Sequence, residues 1–261
     1  MSHESDYNID CNTFTGCRKD HIAVVTFKDD FMLRTTDLSV RDRLLDYLSM
    51  IKRDDNIRSV VIMGSSEKKG CEEYYEFYQR VLKKELGHLA LLRMYNVINQ
   101  LILKLVSLDK LVVHGNRGAV ISLFLNLSLA CDYRIVGEET VFSNPCLDLE
   151  LLPKGGGPYF LSRMVGMGKA MDILLSERGI TAEEALDLGI VNQIVPDDEL
   201  EGAVMRQAAM FADKPLKSVV GIKRLLNYNY RGLKEYLEYE NEELLKVFFT
   251  SDGWKELLVC R

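Results

Sequence analysis

Short runs of β-branched and apolar residues recur along this chain with helical patterns between them. That alternation limits the fold more than any other feature. The runs are 21–27 (HIAVVTF), 57–63 (IRSVVIM), 111–114 (LVVH) and 131–136 (CDYRIV). Between the first two lies 38–53, with Val40, Leu44, Leu48 and Ile51 at helical spacing and Ser39 as the expected N-cap. Helical patterns also run over 72–84 and 90–108, and 119–130 reads as an apolar helix. Strands alternating with helices predict βαβ units and a mostly parallel sheet. From Pro158 onward the pattern is helical, interrupted by 190–195 (IVNQIV). The expected organisation is a flexible lead-in over 1–20, an α/β core over 21–199, and a C-terminal helical region over 200–261.

Composition narrows the function classes. Apolar residues make up 47% of the 261 residues and charged ones 28%, which excludes a disordered or fibrous chain. The net charge of −6 argues against a general nucleic-acid binder, which needs a basic face. The longest apolar stretch is read as 119–130, broken by Ser122, Asn126 and Ser128, so no membrane partner is expected. The first ten residues, MSHESDYNID, do not read as a signal peptide, and a cytoplasmic protein is expected. Six cysteines at 11, 17, 71, 131, 146 and 260 form no CxxC pair, so no metal site is expected. The lone histidines His21 and His114, near strands, read as structural.

Three segments stand out. The first, GAVISLFLNLSLACD (118–132), is an apolar helix that follows a strand and a glycine, either a core helix or a place that presents backbone N–H groups. The second, FSNPCLDLELLPKGGG (142–157), ends in three glycines, either an ordinary tight turn or a close backbone approach. It is neither a Walker loop nor a dinucleotide fingerprint. The third, ITAEEALDLGIVNQIVPDDEL (180–200), carries a capping box of Thr181 and Glu184, with Gly189 ending the helix.

In this order the three resemble the crotonase superfamily, the enoyl-CoA hydratase/isomerase family. PCLDLELLPKGGGPYFLSRMVG resembles its proline- and glycine-rich block, and LSLACDYRI its helix-to-strand segment. The resemblance implies an α/β, crotonase-like (ClpP/crotonase) spiral of ββα units with a C-terminal helical region that packs in trimers or dimers of trimers. It implies an acyl-CoA thioester substrate in fatty acid metabolism, with coenzyme A as part of that substrate and no tightly bound cofactor. Two backbone amides then form an oxyanion hole for an enolate. The first falls best on Gly70-Cys71-Glu72, with the Cys71 amide as donor; an ungapped register gives Glu72-Glu73-Tyr74. The second falls on Ser122-Leu123-Phe124, with Leu123 as donor. CoA contacts are expected from Arg34, Lys68, Lys69, Gly70 and Lys223.

Departures from the family decide the expected chemistry. Its two hydratase glutamates fall on Asn126 and Cys146. Asn126 cannot titrate, and an apolar site would raise the Cys146 thiol. The nearest carboxylates, Asp148 and Glu150, point the same way as Cys146 if the segment is extended, and either can be a base or a surface charge. Lys154 replaces a glycine. Its ammonium pairs internally with Glu150 or Asp148, or meets a carboxylate on the acyl group. Asp132 reads as structural. Simple hydratase activity is therefore not expected. An isomerase, decarboxylase or hydrolase fits better, with a non-catalytic CoA-binding or scaffold subunit as the alternative.

Overall fold

The computed structural model describes residues 7–64, 70–176 and 178–250. In chain order the elements are β1 (Ile9–Asp10), β2 (Phe14–Lys19), β3 (Ile22–Phe27), α1 (Phe31–Arg34), α2 (Leu38–Arg53), β4 (Ser59–Met63), α3 (Gly70–Leu82), α4 (His88–Val106), β5 (Leu111–Asn116), β6 (Ala119–Ile121), α5 (Ser122–Leu129), β7 (Tyr133–Gly137) and β8 (Val141–Ser143). There follow α6 (Gly157–Met164), α7 (Met167–Leu174), β9 (Ile180–Thr181), α8 (Ala182–Asp187), β10 (Gln193–Val195), α9 (Leu200–Ala212), α10 (Leu216–Leu226) and α11 (Leu233–Thr250). The main sheet has the order β1-β2-β3-β4-β5-β7-β10. It is antiparallel through β1, β2 and β3 and parallel from β3 to β10. A small second sheet has the order β6-β8-β9.

The central strands are apolar on both faces because both faces are covered. Val60 and Ile62 of β4 enter the main core, and Val61 between them enters a second one. Val112 and Val113 of β5 divide the same way. The second core is closed by α9, through Leu200, Ala203, Val204 and Ala208. The core therefore does not stop at 199: α9 is one of its layers, and the C-terminal helical region begins with α10. The two-residue period of the strands demanded a helix on each face, and among the described residues no earlier helix supplies that second cover.

Residues 7–19 are also part of the fold rather than a lead-in. β2 pairs with β3 along its whole length, from Phe14↔Phe27 to Lys19↔Ile22. Tyr7 and Phe14 are fully buried, and the Tyr47 hydroxyl donates to the Tyr7 carbonyl at 2.9 Å. Gly16 lets the sheet pass this tyrosine, since a Cβ there would come within 2.5 Å of the ring.

Helix α2 spans the expected residues, but its N-cap is Asp37, whose carboxylate accepts the Ser39 N–H at 2.8 Å. The apolar helix expected over 119–130 starts later. Ala119–Ile121 pairs with Val141–Ser143 as β6, after Gly118 turns at φ 64°, and α5 begins at Ser122. Among the described residues the longest candidate for a membrane span lies in α4, not at 119–130. Over Leu89–Val106 it is long and apolar enough to cross a membrane by length and composition. Here Leu91, Met94, Tyr95, Ile98, Leu101, Ile102 and Leu105 pack into the main core. α11 lies against α4 and contributes Leu233, Leu237, Leu244 and Phe248 to that core.

Candidate active site

Parallel strands bring the loops that follow them to one edge of a sheet, where ligands commonly bind. Here that edge carries Lys28 and Asp29 after β3, Gly64 after β4, and Arg117 after β5. They line a cavity of about 40 Å³ with Phe27, Glu73, Asn116, Ala119, Val120 and Phe124. A cavity of about 240 Å³ adjoins it through Gly64, Asn116 and Arg117 and reaches Thr26, Met63, Leu200 and Met205. Gly64 leaves room for Asn116: a Cβ there would lie 2.1 Å from the Asn116 Oδ1 and displace that side chain.

The expected amide donors stand at helix starts. Leu123 is the second residue of α5 and Cys71 the second of α3. The first N–H groups of an α-helix have no acceptor within the helix. Phe124 and Glu73, one and two residues further along, line the same cavity, so both first turns face it. Lys68 and Lys69 lie outside the described residues. Gly70 opens α3.

Glu73 is the titratable group that reading for family positions missed as a side chain. It is 4% exposed, and its carboxylate accepts the backbone N–H of Met32. Burial pushes its pKa up to about 7, against the lowering effect of the Met32 amide, and Asp29 and Asp30 raise it further. The sequence signal was available: Glu72-Glu73 precedes the apolar series Tyr74, Phe77, Tyr78 and Val81, so one of the two acids had to share that helix's buried face.

The residues expected at the hydratase glutamate positions are packed away. Asn126 is 1% exposed and donates through Nδ2 to the Lys154 carbonyl at 3.0 Å. Gly157 is pressed against it, since a Cβ there would come within 2.6 Å of the carboxamide. Cys146 is fully buried, and its Sγ lies 2.7 Å from the Asn144 Oδ1. Burial pushes its thiol up to about 12, so it is not a thiolate at neutral pH.

Four expectations need correction. The segment carrying Asp148 and Glu150 is a series of turns, not extended, and the common direction assumed for 146, 148 and 150 does not arise. Asp148 accepts from the Tyr75 hydroxyl at 2.7 Å, and Glu150 is exposed at φ 50°. Neither lines the cavities at the strand ends. The Lys154 partner is neither of them. Its ammonium lies 2.6 Å from Glu240 Oε2 on α11 and also bonds Asn99 Oδ1 on α4. Burial lowers the Lys154 pKa and the Glu240 carboxylate opposes this. Lys223 is not available at the surface for CoA: it is buried, 2.7 Å from Asp132 Oδ2 and 3.0 Å from the Lys110 carbonyl. Arg34 remains half-exposed, 3.6 Å from Asp30. The fully buried His114 is held well below the usual histidine range, at about 3, by burial and by Arg134.

Among the described residues no group of three His, Cys, Asp or Glu side chains is placed to hold a metal ion.

The fold and the strand-end cavity define an α/β protein of the crotonase architecture. The sequence matches the enoyl-CoA hydratase/isomerase family over residues 18–258, and the chain belongs to that family. A trans-2-decenoyl-acyl-carrier-protein isomerase of Streptococcus mutans is 24% identical over 232 residues, covering 88% of each chain. A short-chain-enoyl-CoA hydratase of Clostridium acetobutylicum is 26% identical over 239 residues, covering 88% of this chain and 87% of its own. The crystal structure of an enoyl-CoA hydratase from Bacillus halodurans superposes with a TM-score of 0.78 at 22% identity, over 95% of this chain and all of that one.

Proposed function

We propose that this chain is an acyl-CoA-utilising enzyme that stabilises an enolate-like oxygen with backbone amides, and that it does not hydrate simple enoyl thioesters. The observation that carries this reading is the burial of the non-ionising side chains Asn126 and Cys146, which the resemblance puts where hydratases have glutamates. Adding water needs one group to activate it and another to deliver a proton. Moving a double bond needs a single base, and an isomerase is among the relatives. Isomerisation is therefore the leading reaction, with decarboxylation and hydrolysis drawing on the same oxyanion chemistry. We place the protein in the cytoplasm as a trimer or hexamer.

The test is turnover by the purified protein. Crotonyl-CoA hydration is expected to be orders of magnitude slower than in a family hydratase, while a trans-3-enoyl-CoA converts to the 2-enoyl isomer. Rapid hydration of crotonyl-CoA would overturn the reading. A second reading is a non-catalytic CoA-binding or scaffold subunit. It is favoured by the closed packing around Asn126 and Cys146, which leaves no room for an acyl group beside them. Binding of acyl-CoA without turnover of any thioester would establish it.

A further inference from the structure

The lining of the strand-end cavity includes a glutamate to which the family register gives no acid–base role. We propose that Glu73 is the acid–base residue of this protein, taking a proton from the α-carbon of a thioester bound at the strand ends and returning it. This rests on the enolate reading above and assigns the base that reading lacks.

Three observations place it there. Glu73 lines the cavity together with Asn116, Val120 and Phe124 and is only 4% exposed, so it is shielded from bulk water. It lies two residues beyond Cys71 on α3, so the base and the expected oxyanion donor come from one helix turn. The carboxyl is oriented by the Met32 N–H of α1, a fixed acceptor bond that leaves lone pairs for a substrate proton. The charged groups around it are Lys28, Asp29 and Asp30 from the turn after β3 and Arg117 after β5. The Lys28 ammonium is engaged by Asp10, and Arg34 lies 3.6 Å from Asp30. Such surroundings favour the protonated form until about neutral pH, where a base of this kind works best.

The step balances without a co-reactant. The carboxylate takes the α-proton of a 3-enoyl thioester. The C–H electron pair moves toward the carbonyl, whose oxygen becomes the oxyanion. The carboxylic acid then delivers the proton to the γ-carbon, and the double bond comes to lie between the α- and β-carbons.

A merely structural role is the competing account, since the same carboxylate caps the short helix α1. Glu73→Gln separates the two, because a carboxamide oxygen still accepts from Met32 but cannot carry the proton. Deuterium exchange at the α-carbon of butyryl-CoA and isomerisation of trans-3-hexenoyl-CoA are followed by NMR. In Glu73→Gln both are expected to fall by about 10²–10⁴, with little change in the dissociation constant for butyryl-CoA. The wild-type rate is expected to rise with pH through about 7, the value that burial sets for this group. Glu73→Gln rates within threefold of wild type would overturn the proposal and leave the enolate reading standing. Should that variant not fold, a wild-type rate that is flat between pH 5.5 and 8.5 would overturn it equally. Binding of butyryl-CoA with no exchange and no isomerisation by the wild type would overturn the enolate reading and the proposal together.

Discussion

A carboxyl group that is buried without a cation keeps its proton longer than water would allow, and Glu73 therefore links stability to pH. Its pKa is about 7 in the folded chain against an ordinary 4.5. Between those values the folded state binds a proton that the unfolded state has released. Stability from this group is therefore full below pH 4.5, falls as pH rises toward 7, and is absent above. The two values correspond to about 3 kcal/mol. The expected outcome is that Glu73→Gln loses much less stability than wild type between pH 5 and 8, measured by urea denaturation at each pH. Parallel curves would show that Glu73 titrates alike in both states. Lys154 is the opposite case, a buried cation with a carboxylate in contact. Glu240 accepts its ammonium and also the N–H groups of Gly155 and Gly156, at 3.1 and 2.7 Å. One carboxylate thus fastens α11 to the glycine turn. Removing one partner strands the other, which costs about 3–5 kcal/mol. Lys154→Met should be destabilised by that amount, and Lys154→Met with Glu240→Leu by less. If the single variant retains wild-type stability but loses affinity for glutaryl-CoA alone, the ammonium faces substrate instead.

The elements show what the sequence made legible and what it hid. The strands over 57–63 and 111–114 and the helix over 38–53 were readable because local period and burial agree there. β6 was not readable, because Ala119–Ile121 is apolar in either a strand or a helix, and only the neighbour Val141–Ser143 decides the matter. β2 was hidden by composition. FTGCRK is half polar since it is near the sheet edge, and its burial depends on Tyr47 from α2. The candidate site divides in the same way. Asn126 and Cys146 were expected from register alone to stand in place of the family glutamates. Their closure against Gly157 and Asn144, and the pairing of Lys154 with a residue 86 positions away, are long-range facts with no local signature. This packing also bears on reconstruction of a hydratase. In Asn126→Glu a longer, charged side chain must enter a site already pressed against Gly157. Asn126→Glu with Cys146→Glu is expected to lower the thermal midpoint by several degrees, with no gain in crotonyl-CoA hydration. A gain in rate without loss of stability would show that the turn at 155–157 moves aside.

At the scale of the whole molecule, the C-terminal helices are divided in their loyalties. α11 is committed to its own chain through Leu233, Leu237, Leu244 and the Glu240 contacts. α10 is anchored by its buried Lys223 to Asp132, yet leaves Ile222, Leu225 and Leu226 exposed at 58, 78 and 69%, with Tyr228 exposed beside them. Clustered large apolar residues at that exposure mark a surface that gains from being covered. A closed symmetric oligomer covers it at the smallest cost in specificity, because each copy presents the same patch and association stops when the ring closes. The expectation is a trimer or hexamer at micromolar concentration by light scattering. Leu225→Lys with Leu226→Lys changes only side chains that the folded monomer leaves in solvent, so the variant should keep its circular dichroism while its mass falls toward that of one chain. The same variant measures whether assembly feeds the site: α10 touches β5, whose end carries Asn116 and Arg117 into the cavity. If the mass of the variant stays at that of wild type, the apolar face of α10 is not the contact between copies. If the wild type is itself a clean monomer, the assembly expected for this chain is wrong.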